Sequence, residues 1–158
     1  MSEQQQEDHR QRVLVVDDDQ SIRKLVSTII KREGFTVDTA ADGLEAIDRL
    51  GMHPYAVILL DLMMPRMDGF GVIDWLKRNP PATKPIVIVI TAYADQKFKE
   101  VDVDLVAGVL RKPFDVTELG HLVQACVNGF TDEVSQKLFF SKDRAIRDFV
   151  RGVGDRET

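Results

Sequence analysis

Several apolar runs in this chain stop abruptly on residues that can do chemistry. Val13-Leu14-Val15-Val16 ends at Asp17-Asp18-Asp19, Tyr55–Leu60 at Asp61, and Ile86–Ile90 at Thr91, while Val109-Leu110 comes just before Lys112-Pro113. Short β-branched runs of this kind read as strands buried on both faces. In an open parallel sheet, ligands bind beyond the carboxyl ends of the strands, near the point where strand order reverses. Three or four carboxylates, one hydroxyl and one ammonium would then meet at one mouth. Two carboxylates about 5 Å apart repel by about 3 kcal/mol at an effective dielectric near 20, so Asp17, Asp18 and Asp61 together require a cation. A few oxygen ligands with room left for water suit Mg²⁺, with Mn²⁺ or Ca²⁺ as substitutes. Three carboxylates, Lys112 and a divalent ion sum to neutrality, which leaves the site ready for a phosphate.

The elements that must position these groups are legible in the periodicity. After the first strand, Ile22, Leu25, Val26, Ile29 and Ile30 repeat at helical spacing, with Ser21 as expected N-cap and Gly34 as stop. Phe35–Ala40 alternates as a strand, and Asp42–Leu50 carries Leu44, Ala46, Ile47 and Leu50 on a helical period. Gly69–Arg78 reads as a helix closed by Asn79-Pro80-Pro81, and Gln96–Val106 as a weaker one. Asp115–Val127 is the clearest helix, with Asp115 and Glu118 as a capping box and Leu119, Leu122, Val123 and Cys126 on one face. Five strands alternating with five helices predict an α/β, doubly wound, five-stranded parallel sheet.

Length and composition bound the rest. The 158 residues suit about one domain, and 44% hydrophobic with 30% charged residues is the composition of an ordinary soluble protein. A net charge of −5 weighs against non-specific attraction to nucleic acid or anionic membranes. The single Cys126 excludes an internal disulfide and a cysteine zinc cage. No secretory signal and no apolar run near the ~20 residues of a membrane span is present, so a cytoplasmic location is expected. Residues 1–11 are polar and read as a disordered lead-in, 12–129 as the domain, and 130–158 as a C-terminal helical extension or tail.

The runs quoted above, with Asp61-Leu62-Met63-Met64-Pro65-Arg66-Met67-Asp68-Gly69, Val89-Ile90-Thr91-Ala92-Tyr93-Ala94 and Lys112-Pro113-Phe114, resemble the receiver domain of bacterial two-component response regulators, in a stand-alone form like the chemotaxis regulators. The gaps of 43 from Asp18 to Asp61, 30 to Thr91 and 21 to Lys112 fit that family. The resemblance implies a flavodoxin-like strand order 2-1-3-4-5. It makes Asp61 the phosphoacceptor for a phosphoryl group from a histidine kinase or phosphotransfer protein. Asp18, Asp61 and the Met63 backbone carbonyl would bind Mg²⁺ directly and Asp17 through a water. Lys112, through a cis peptide to Pro113, and Thr91 would hold the phosphoryl oxygens. It also implies a signalling protein that catalyses its own phosphotransfer and dephosphorylation, rather than an enzyme on an external substrate.

One position departs from the family. An aromatic residue usually stands three before the lysine, and here it is Val109, so readout is expected through the loops around Thr91 and Tyr93 or through residues 130–158. Met63 and Tyr93 flank the path of an attacking water and suggest slow hydrolysis. The 29 residues after 129 leave no room for a conventional DNA-reading domain, so the expected output is contact with a downstream protein. A homodimer would use helix four (96–106), strand five and helix five (115–127), or residues 130–158. The rival reading is a small haloacid-dehalogenase-like phosphohydrolase using Asp17 and Asp19, since Asp17-x-Asp19-x-Ser21 nearly matches that motif.

Overall fold

The computed structural model describes residues 12–92 and 105–128. Its elements are β1 (Arg12–Val16), α1 (Gln20–Arg32), β2 (Thr36–Ala40), α2 (Gly43–Met52), β3 (Val57–Leu60), α3 (Gly69–Arg78), β4 (Ile86–Thr91), β5 (Val106–Arg111) and α4 (Val116–Asn128). The strands form one parallel sheet in the order β2-β1-β3-β4-β5. This is the doubly wound α/β order expected from the sequence, with four helices among the described residues.

Strand alternation divides the core in two. Leu14, Val16, Ile58, Leu60, Val87 and Val89 pack on one face with Ala46, Val72, Ile73 and Leu76 of α2 and α3. Val13, Val15, Val57, Leu59, Ile88 and Ile90 pack on the other with Val26, Ile30, Leu119, Leu122, Val123 and Cys126 of α1 and α4. Both faces are therefore covered, which is why these strands are apolar throughout instead of alternating. Cys126 belongs to this core, and burial pushes its thiol up to about 12, so packing is its role.

Two local expectations are corrected. The N-cap of α1 is Asp19, not Ser21: its carboxylate accepts from the Ser21 and Ile22 N–H groups at 2.8 and 3.1 Å. A carboxylate caps as well as a hydroxyl and also favours the positive end of the helix. The fifth strand is six residues long and takes Val106 from the helix expected to end there. Its register against β4 shifts between Val87 and Ile88, so Ala107 and Gly108 break the apolar pattern without ending the strand. The remainder of the expected 96–106 helix, Tyr93 and the segments 1–11 and 130–158 lie outside the described residues. No helix among the described residues is long and apolar enough to cross a membrane.

At the lower end of the sheet, Arg12 and the Tyr55 hydroxyl both donate to Asp38 Oδ2, at 2.8 and 2.7 Å. This network fastens edge strand β2 to β1 and to the residue leading into β3.

Candidate functional site

Strand order reverses between β1 and β3, because the chain leaves β1 for β2 on one side and returns to β3 on the other. Asp17 and Asp61 emerge at that reversal, and the Asp61 N–H donates to the Val16 carbonyl at 2.9 Å. Carboxylate oxygens of Asp17, Asp18 and Asp61 lie within 4.8 Å of one another. Asp17 and Asp61 are 4% and 6% exposed and Asp18 faces solvent, so the cluster opens outward on one side.

Lys112 comes from the end of β5. The Lys112 N–H donates to the Thr91 carbonyl at 2.9 Å, which ties the ends of β4 and β5 together, and the Lys112-Pro113 peptide is cis as expected. The ammonium donates to Asp17 Oδ2 at 2.7 Å and to Asp61 Oδ2 at 3.2 Å. Thr91 closes β4 and is fully buried.

Burial, helped by the neighbouring Asp17 charge, holds the Asp61 carboxyl above its ordinary value, against the pull of Lys112 and the Met63 N–H. Burial also works against the Lys112 ammonium, but its bonds to Asp17 and Asp61 outweigh this and raise its pKa. A single ammonium shared by two buried carboxylates leaves the cluster net negative. Three oxygen donors of this kind, one solvent-facing, fit a hard divalent cation.

Of the sequence-expected residues, Asp17, Asp18, Asp61 and Lys112 thus meet. Asp19 does not join the cluster, because its carboxylate is used as the α1 cap. That removes one of the two aspartates the phosphohydrolase reading needs. The loop after Asp61 turns as its sequence suggests: the Met63 N–H reaches Asp61 Oδ1 at 3.3 Å and the Gly69 N–H donates to the Leu62 carbonyl at 3.0 Å. A Cβ on Gly69 would lie 2.4 Å from the Asp61 carbonyl oxygen, so only glycine permits this approach.

Three contacts around the site are not legible in the sequence. Arg23 donates to the Asp17 carbonyl at 2.7 Å. Asp42, the N-cap of α2, is 5% exposed and receives the Arg66 guanidinium on Oδ2, 2.7 Å from Nε, while its Oδ1 accepts from the Glu45 N–H. The Gly43 N–H donates to the Met67 carbonyl at 2.9 Å. Asp42-Gly43 before a helical period is a cap-and-glycine signal, but its partner 24 residues away has none.

Comparison with known proteins agrees with this geometry. The family model for the response regulator receiver domain matches residues 13–124. Protein PilG of Pseudomonas aeruginosa is 34% identical over 123 residues, covering 76% of this chain and 90% of that protein. A probable transcriptional regulator, ycf27 of Guillardia theta, is 34% identical over 117 residues, covering 73% of this chain and 45% of the relative. The chain thus spans about half the length of several curated relatives it matches. Among solved structures, the response regulator TrrA of Thermotoga maritima, in complex with Mg²⁺-BeF, superposes with a TM-score of 0.64 at 28% identity, covering 73% of this chain and 98% of that one.

Proposed function

Because the chain belongs to the response regulator receiver domain family of two-component signalling, we propose that Asp61 accepts a phosphoryl group from the phosphohistidine of a sensor kinase or phosphotransfer protein. The observation that carries this reading is the buried Asp61 carboxylate at the strand-order reversal, flanked by Asp17 and Asp18 and bonded to Lys112. Asp61 attacks phosphorus, the P–N bond to the histidine breaks, and an acyl phosphate forms. Asp18, Asp61 and the Met63 carbonyl would hold Mg²⁺ directly and Asp17 through a water. When bound, the ion neutralises charge on the entering phosphoryl group. Mn²⁺ has the same ligand preferences.

The protein's own groups act by position and charge, as a loose phosphoryl-transfer transition state requires. Lys112, already bonded to Asp61, shifts its ammonium to a phosphoryl oxygen, and the Thr91 hydroxyl donates to another. The product adds about one negative charge at Asp61, and that charge biases the ends of β4 and β5, which the Lys112–Thr91 backbone bond couples. The chain is then a phosphoacceptor that catalyses its own phosphotransfer and dephosphorylation, working in the cytoplasm and passing its state on by protein contact. A homodimer would use residues 96–106 with β5 and α4, or residues 130–158.

Incubation with acetyl phosphate and Mg²⁺ followed by intact mass tests this. A labile phosphate adduct on the wild-type chain, lost in Asp61→Asn and in chelator, is the expected result. Catalytic release of phosphate from varied organic esters would favour a hydrolase instead.

A further inference from the structure

Arg66 has backbone φ +64, and among the described residues it is the one non-glycine residue with positive φ. The Met67 N–H donates to the Pro65 carbonyl at 2.8 Å, so Arg66 is the centre of a three-residue γ-turn of the uncommon, strained hand. Such a turn persists only where its surroundings hold it, and Arg66 and Met67 are held by the cap of α2 and the first turns of α2 and α3. The Arg66 guanidinium meets the buried Asp42 carboxylate through Nε and Nη2. Met67 next to it is wedged between glycines: a Cβ on Gly43 would lie 2.6 Å from its carbonyl oxygen, and one on Gly71 would lie 2.7 Å from its Cγ. The other end of the loop is anchored at Asp61, through the Met63 N–H and the Gly69–Leu62 bond.

We infer that Arg66 is a positioning residue for the candidate metal site: its ion pair with Asp42 fixes the Asp61–Gly69 loop against α2 and so holds Met63 in register with the Asp17, Asp18 and Asp61 carboxylates. This rests on the receiver reading, in which Met63 lends a carbonyl to Mg²⁺. Arg66 itself touches neither metal nor phosphate. The fork of its guanidinium matters as well as its charge, because Nε and Nη2 both meet one carboxylate oxygen, and a lysine has no such pair of donors. Asp42 in turn cannot move toward the loop, since its other oxygen caps α2.

Isothermal titration of the full chain with MgCl₂, without phosphodonor, measures the effect directly. Arg66→Met and Asp42→Asn are each expected to weaken Mg²⁺ about tenfold, the lower end of what partners behind metal ligands command. The double variant should lose no more than either alone, because both remove the same contact. Arg66→Lys should recover part of the loss. Arg66→Gly accepts positive φ at no cost and serves if Arg66→Met folds poorly; it should bind Mg²⁺ as weakly as Arg66→Met. Mg²⁺ affinity within about twofold of wild type in Arg66→Met or Arg66→Gly, whatever their melting temperatures, overturns the inference. A wild-type chain that takes up no Mg²⁺ overturns the receiver reading beneath it, and this inference falls with it.

Discussion

The Lys112 ammonium is bonded more closely to Asp17, at 2.7 Å, than to Asp61, at 3.2 Å, across 95 and 51 residues of sequence. Lys112 therefore balances two carboxylates in the absence of phosphate, and it competes with any cation for both of them.

Removing that ammonium should separate two properties. Lys112→Met leaves Asp17 and Asp61 buried and uncompensated, costing roughly 2 kcal/mol, below the about 3–5 kcal/mol for fully buried pairs because the lysine side chain is 14% exposed. The same variant should bind Mg²⁺ more tightly, since a competing charge is gone, yet accept phosphate from acetyl phosphate more slowly. Calorimetry and a timed intact-mass assay check both halves; tighter binding together with unimpaired phosphorylation would count against the assigned role of Lys112.

Asp61 should make the metal-free fold less stable as pH rises. Burial and Asp17 raise its pKa above the unfolded 3.8, so the native state binds more protons than the unfolded one between those values. Its contribution is complete below the unfolded value and lost as pH climbs through the folded one. Asp61→Asn should accordingly melt higher than wild type in chelator at neutral pH, with the gap closing in acid.

The Asp38 network has the opposite sign. Burial pushes Asp38 up, but the Tyr55 hydroxyl and the Arg12 guanidinium outweigh it and hold the carboxyl below its usual 3.8. The stabilisation is therefore present above the unfolded value and lost as pH falls through the folded one. Tyr55→Phe should cost about 1.5 kcal/mol at pH 7, the loss of a hydrogen bond to a charged acceptor. Acid titration of stability should be shallower in Asp38→Asn than in wild type.

Two glycine-to-alanine changes should differ in sign. Gly69→Ala places a Cβ 2.4 Å from the Asp61 carbonyl and 2.8 Å from the Leu62 Cα, both backbone. The loop must shift, costing about 1–3 kcal/mol and slowing phosphate acceptance. Gly51→Ala, in α2 with nothing within 4 Å, should stabilise by about 0.5 kcal/mol through helix propensity. Denaturant melts of both variants, with the acetyl phosphate assay, check the pair.

Asp17, Asp61 and Thr91 are legible because a parallel sheet buried on both faces leaves unmixed apolar runs, and the first polar residue after each run must stand at the same edge; Lys112 follows Arg111 after a short run and is marked by Lys112-Pro113. The bounds of Gly69–Arg78 match the sequence reading, with Gly69 opening the helix and Asn79-Pro80 closing it. The α1 cap is not legible because Asp19 and Ser21 are both good capping residues two positions apart; only the geometry of the α1 start assigns the role to Asp19. The sequence places Val106 in a helix because Ala107-Gly108 has no strand signature, and pairing with β4 supplies what propensity lacks. The Arg66–Asp42 pair was invisible because it joins two loops without a shared period.

Everything proposed for this site turns on Asp61 being the residue that becomes phosphorylated. Borohydride reduces an acyl phosphate to an alcohol, so treating the chain after acetyl phosphate and Mg²⁺ and mapping its peptides identifies the acceptor by mass. Conversion of residue 61 alone to homoserine is expected, and it should be absent without Mg²⁺. Conversion at Asp17 or Asp18 with residue 61 intact, or no conversion at all, would rule out Asp61 as the acceptor.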